Sequence, residues 1–183
     1  MTTRTATADA APATVTGEHA DLLQTLAHHR HLLRFTTRGL TDEQGAARTT
    51  VSSLCLGGLI KHVTAVERMW AEFLVHGPSA MGDLGHLPEG GLPQRADEFR
   101  MLPGETLAGL LDGYAERARR TEALVAALPS LDAAHPLPRA PWFEPGARWS
   151  ARRVLLHLIA ETAQHAGHAD IIRESLDGQQ TMA

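Results

Sequence analysis

Apolar residues in this chain recur with the period of an α-helix in four long segments, and almost nowhere with the two-residue alternation of a strand. That restricts the fold to an all-α class, because each amphipathic helix must bury its stripe against another. The first segment runs from about Glu18 to Arg38, with Leu22, Leu26 and Leu33 along one stripe. A short helical turn follows at Thr41 to Ala46, where Thr41 and Gln44 have the spacing of a capping box. The second long helix is expected to start at Ser52 or Ser53, either of which can accept a hydrogen bond from first-turn amides, and to end near His76, ahead of Gly77 and Pro78. The third spans about Glu105 to Leu128, close to a heptad seam, and stops at Pro129. Ser150 caps a last helix from about Ala151 to Leu176, which Gly178 closes.

Two of the connections are long. Residues 78–103 hold several glycines and prolines and no period, which suits a crossing of one bundle end. Residues 129–149 hold five prolines with Trp142, Phe143 and Trp149, and are expected to be extended, with aromatic rings laid over the bundle. Four helices joined in this way pack as a four-helix bundle. Residues 1–16, small and polar, are read as a disordered tail, and residues 17–183 as the single bundle domain. A chain of 183 residues buries a sufficient core without disulfides or a structural metal, so a metal here would serve chemistry.

Charge and cysteine usage remove several function classes. The net charge of -4 and the lack of a basic run argue against nucleic-acid binding. No stretch reaches the roughly 18 consecutive apolar residues of a membrane span, and the N-terminus lacks the apolar middle of a signal peptide. The single Cys55 cannot bridge internally, so a reducing, cytoplasmic location is expected. Arginine outnumbers lysine 16 to 1, a bias of GC-rich genomes that points to an actinobacterial host.

Eleven histidines are present, and their positions matter more than their number. At about 100° per residue, His157, His168, Glu161 and His165 fall within an arc of roughly 80° on the last helix, beside Val154, Leu158 and Ile172. Ionisable groups thus share the side that faces the core, where unpaired burial costs several kcal/mol. Glu161 and His165, four apart, stack on successive turns close enough to bind one ion. His62 lies on an inward face of the second helix with Leu59, Val66, Trp70 and Phe73, and can supply a third donor. Two imidazoles and a carboxylate leave coordination positions open, as catalytic metal sites do. A lone histidine on an apolar face is more often a hydrogen-bonded core residue, and the E-x-x-x-H pair alone is a weak motif; it is the convergence with His62 that favours a metal. His157 and His168 are read as supporting residues. Asp170 and Arg173 have the spacing of a surface ion pair. Cys55, about 10 Å along the helix from His62, is read as a small core residue.

Two stretches, LGGLIKHVTAVERMW (residues 56–70) and WSARRVLLHLIAETAQHAGHADIIRESLDG (149–178), resemble the DinB/YfiT-like metal-binding four-helix bundles, and among them an actinobacterial branch. In that superfamily one ligand histidine comes from the second helix and two ligands, four apart, from the last. The resemblance places these on His62, Glu161 and His165. Many relatives carry histidine at the position of Glu161, whereas the mycothiol-dependent maleylpyruvate isomerase carries glutamate, which leaves zinc, nickel, manganese and iron all open, zinc first. Arg153 stands where an aromatic residue is expected, and Gln164 and Ala166 replace commoner arginine and asparagine. Characterised relatives use bacillithiol, mycothiol or glutathione, and with the arginine-rich composition the resemblance implies mycothiol as cosubstrate and a small electrophile as substrate. The reading favoured is a metal-dependent thiol S-transferase; the alternative is a metal-binding stress-response module without catalysis, and a homodimer is compatible with both. A hydrolase using bound water is less favoured, because no second general base is placed by the pattern and Glu67 is off the His62 stripe.

Overall fold

The computed structural model describes residues 17–82 and 97–181, so the tail expected over residues 1–16 lies outside the described residues. Four long helices make the bundle: α1 (Glu18–Phe35), α3 (Leu56–His76), α4 (Leu107–Ala127) and α5 (Ala151–Asp177). The short α2 (Asp42–Ala46) and a 3-10 turn over Gly77–Met81 serve as connectors. Helix α5 packs against both α1 and α3, and α3 against α4, while α1 and α4 diverge around a groove of about 840 Å³. The proline-rich connection contributes a small antiparallel ribbon, β1 (Ala134–Pro136) with β2 (Arg148–Ser150), in which His135 pairs with Trp149. Phe143 and Trp149 pack on the core, whereas Trp142 stays exposed. The all-α bundle is therefore what the helical periodicity implied.

Several helix ends follow their sequence signals. Both arms of the Thr41–Gln44 capping box form, Ser150 Oγ accepts from the Arg153 amide at 3.2 Å, and Gly178 takes the left-handed conformation past α5. Others differ. Helix α3 starts at Leu56 rather than at Ser52 or Ser53, because the hydroxyls upstream are spent on local turns: Thr50 accepts from the Ser52 amide and Ser52 from the Leu54 amide, both at 3.2 Å. Helix α4 starts two residues late, at Leu107, where Thr106 caps it and Asp42 Oδ1 accepts the Leu107 amide at 2.7 Å.

Helix α1 stops at Phe35 instead of reaching Arg38, as the Thr36 and Thr37 hydroxyls donate to the carbonyls of Leu33 and Arg34. This end explains Arg173, which is no surface partner of Asp170. Arg173 is buried, and its guanidinium donates to the carbonyls of Thr36 (2.8 Å) and Arg38 (2.9 Å) and to Asp177 (2.9 Å). Unsatisfied carbonyls at a helix C-terminus attract a cation, and here they draw it from the neighbouring helix. Asp170 instead accepts the Thr181 amide at 2.9 Å.

The core is two apolar clusters, one including Leu26, Trp70, Phe73 and Leu158, the other Leu33, Leu59, Tyr114 and Ile172. Arg30 lies between Leu26 and Leu33 along α1, and Glu67 lies between Val63 and Trp70 along α3, so their ion pair stands at the junction. It is bidentate, at 3.1 and 2.7 Å, with both side chains within 5% of full burial, and Glu122 of α4 accepts a third hydrogen bond at 2.8 Å. Breaking such a pair leaves a buried charge uncompensated, at a cost of about 3–5 kcal/mol, whereas replacing both members with apolar residues is often neutral. Arg30→Met should accordingly lower stability by that amount in urea unfolding, and Arg30→Met with Glu67→Leu should recover most of it; equal losses in the two variants would contradict this account.

Candidate metal centre

His62 on α3 and Glu161 and His165 on α5 converge where these helices face each other. Glu161 Oε1 lies 3.2 Å from His62 Nε2 and 3.3 Å from His165 Nε2, and the three donor atoms all lie within 4.8 Å of one another. Ligands held at about 2.0–2.2 Å from a common ion stand roughly 3 Å apart, so the spacing suits one small divalent cation. His62 and His165 are largely buried and Glu161 is partly open, which leaves one side for a further ligand.

The outer nitrogens also have partners. His62 Nδ1 lies 3.3 Å from Glu98 Oε2, and His165 Nδ1 lies 3.4 Å from His168 Nδ1. A neutral imidazole carries one N–H. With the hydrogen on Nδ1, His62 donates to Glu98 but turns a bare Nε2 lone pair toward Glu161. With the hydrogen on Nε2, it donates to Glu161 but turns a bare Nδ1 toward Glu98. Neither neutral tautomer satisfies both carboxylates, and a cation shared by the inner donors resolves the first arrangement. Carboxylate behind imidazole behind ion is the usual support of a metal-binding histidine.

The two histidines, His165 foremost, hold the Glu161 carboxyl well below the usual carboxylate range, against the opposing effect of burial. His168 stands beside His165. His157 does not touch the donors. Its ring lies edge-on to Trp70 (5.0 Å) and Trp149 (5.3 Å), which stack on each other at 4.7 Å, and burial pushes its pKa down.

Glu98 and Phe99 were not legible in the sequence. Phe99 stacks on the His62 ring at 4.1 Å, and both residues sit in the long aperiodic connection. They reach the site because the chain at residues 99–101 crosses directly over the first turn of α3. A Cβ on Gly58 would lie 2.1 Å from the Phe99 carbonyl oxygen, and one on Gly57 would lie 2.3 Å from Met101 Sδ. Two adjacent glycines opening a helix were the available signal of such an approach. Cys55 beneath them is buried, with Sγ 3.8 Å from the Phe99 carbonyl, a small packed residue as expected.

A helix bundle with two imidazoles and a carboxylate converging from its second and last long helices falls in the class of DinB/YfiT-like metal-binding bundles. The family model described as mycothiol-S-transferase matches residues 21–178, and the chain belongs to that family. A solved structure described as a conserved protein of locus from Enterococcus faecalis shares the fold, with a TM-score of 0.64 at 13% identity over 90% of this chain and 100% of that one. No curated protein matches the chain. Among the described residues no helix is long and apolar enough to cross a membrane.

The lowered pKa of His157 sets a pH dependence. The unfolded chain protonates this imidazole near its ordinary value of 6.5, the folded protein only at lower pH. Below 6.5 the unfolded state therefore binds more protons, and stability that is complete above this pH falls as pH drops. Denaturant unfolding should show a larger loss between about pH 7.5 and 5.5 for the parent protein than for His157→Gln. An identical loss in both would show that His157 is not held neutral by its surroundings.

Proposed function

We propose that His62, Glu161 and His165 hold one divalent ion, zinc first among the candidates, and that the protein uses it to transfer mycothiol to a small electrophile. The observation that carries this is the pairing of three converging inner donors with outer partners, Glu98 and His168, in a chain of the mycothiol-S-transferase family. Two carboxylates and two imidazoles form a set whose charge a divalent cation balances. Such an ion, when bound, supplies the positive charge that keeps a cosubstrate thiol in its thiolate form at neutral pH.

The chain's own residues do the rest. Glu98 fixes the tautomer and plane of His62 from one side and Phe99 fixes the ring from its face, while His168 orients His165. Glu161, partly open to solvent, lies at the side from which a thiol and its partner would enter. In the transfer itself the thiolate sulfur forms a bond to the electrophilic carbon, the leaving group departs with the electron pair of the broken bond, and the thiol proton is released to solvent.

His165→Ala should remain helical by circular dichroism, lose its stoichiometric divalent metal in elemental analysis, and no longer consume mycothiol with a generic electrophile. Glu98→Gln should keep the metal but weaken its affinity about 10 to 100-fold, the usual effect of losing an outer partner. A His165→Ala protein that stays folded, loses metal and keeps full thiol transfer would refute the mechanism. Metal bound by the parent protein without any thiol transfer would favour the binding-module reading instead.

A further inference from the structure

The metal donors come from α3 and α5, whereas the groove between α1 and α4 opens elsewhere on the bundle and shares no lining residue with them. Its volume of about 840 Å³ falls within the roughly 300–1,000 Å³ of small-molecule sites. The two walls differ in character. Along α4 the wall is apolar, with Leu107, Leu111, Ala115 and Ala118 on successive turns. Along α1 it is cationic, with Arg30 and Arg34 one turn apart and Arg38 one turn further, just past the helix end.

One of these cations serves the fold and two do not. Arg30 is committed to Glu67 and Glu122. Among the described residues the remaining ion pair of α1 belongs to Glu18, so Arg34 and Arg38, both exposed, enter none. The carbonyls at the end of α1 do not hold them either, because Arg173 and the Thr36 and Thr37 hydroxyls already donate there. The acids lining the groove are spent as well: Asp42 accepts the Leu107 amide and Glu122 accepts from Arg30. Arg38 keeps its guanidinium 4.9 Å from the centre of the Phe35 ring, which also lines the groove. Two uncompensated positive charges thus face a continuous apolar wall. We infer that this groove is a second ligand site, for an amphipathic organic anion of small-molecule size. A carboxylate fits between the planar forks of Arg34 and Arg38, and a hydrocarbon body follows α4 from Leu111 to Ala118, a run of about 10 Å.

Isothermal titration calorimetry of the full chain with decanoate tests the site, with decanol as the uncharged counterpart. Decanoate should bind saturably and one to one, and decanol far more weakly. Arg34→Gln and Arg38→Gln should each weaken decanoate about fivefold, and together about 20-fold or more. Ala115→Phe, which puts a ring into the groove, should abolish binding while the helical spectrum stays unchanged. His165→Ala should bind decanoate as the parent does, which separates the groove from carboxylate binding at an ion and makes the result independent of any thiol transfer. Decanoate binding lost in His165→Ala would overturn the inference by placing the anion at the metal centre. Decanol matching decanoate, indifference to the two arginines, or no saturable binding up to about 1 mM would overturn it too. So would binding to phosphatidylglycerol vesicles without binding of free decanoate, since the arginines would then answer to a membrane surface.

Discussion

A guanidinium in the middle of a helix bundle must be matched there, and the Arg30–Glu67 pair sets the layout of everything around it. Their junction divides the apolar interior into two clusters, each with its own aromatic and aliphatic filling. Because the pair is bidentate and Glu122 adds a third hydrogen bond, α1, α3 and α4 are fixed in register at one level. A purely aliphatic seam would tolerate sliding of one helix along another by a turn. This one does not, since a one-turn slip would leave a charge buried without its partner. The register of α3 in turn fixes where His62 stands.

At the donor cluster the same logic runs with a different outcome. Arg30 finds carboxylate partners in Glu67 and Glu122, whereas Glu161, His62 and His165 supply acceptors on the inside without a matching number of donors. The tautomer choice at His62 makes the shortfall definite: in either neutral tautomer one of the two carboxylates meets a bare nitrogen. A protein interior settles such an imbalance by protonation or by a cation. The depressed pKa of the Glu161 carboxyl argues against its taking up a proton itself.

Much of this could be read from the chain, and the reason is periodicity. The helices, their order, and the inward placement of His62, Glu161 and His165 follow from a 3.6-residue repeat that is expressed in every turn. Helix starts were harder at α3, where Ser52 looked like a cap but spends its oxygen on the Leu54 amide. Arg173 was misplaced because its long side chain answers to the end of α1, a neighbour that spacing within α5 does not reveal. Glu98 and Phe99 escaped notice for a related reason. They belong to a segment without a period, and only the three-dimensional crossing brings them to His62.

The glycine pair at the start of α3 separates two kinds of change. The inner donors ride on helices whose positions the whole bundle fixes, so their placement does not depend on the crossing segment. Glu98 and Phe99 ride on the segment that crosses the first turn of α3, where Gly58 admits the Phe99 backbone and Gly57 the Met101 side chain, and Phe99 also packs on the second apolar cluster. Exchange of the acid behind His62 would therefore alter the basicity of that imidazole while the bundle and its three donors stay as they are. The setting of the imidazole and the maintenance of the fold are thus carried by different segments, which meet at two residues that have no side chain.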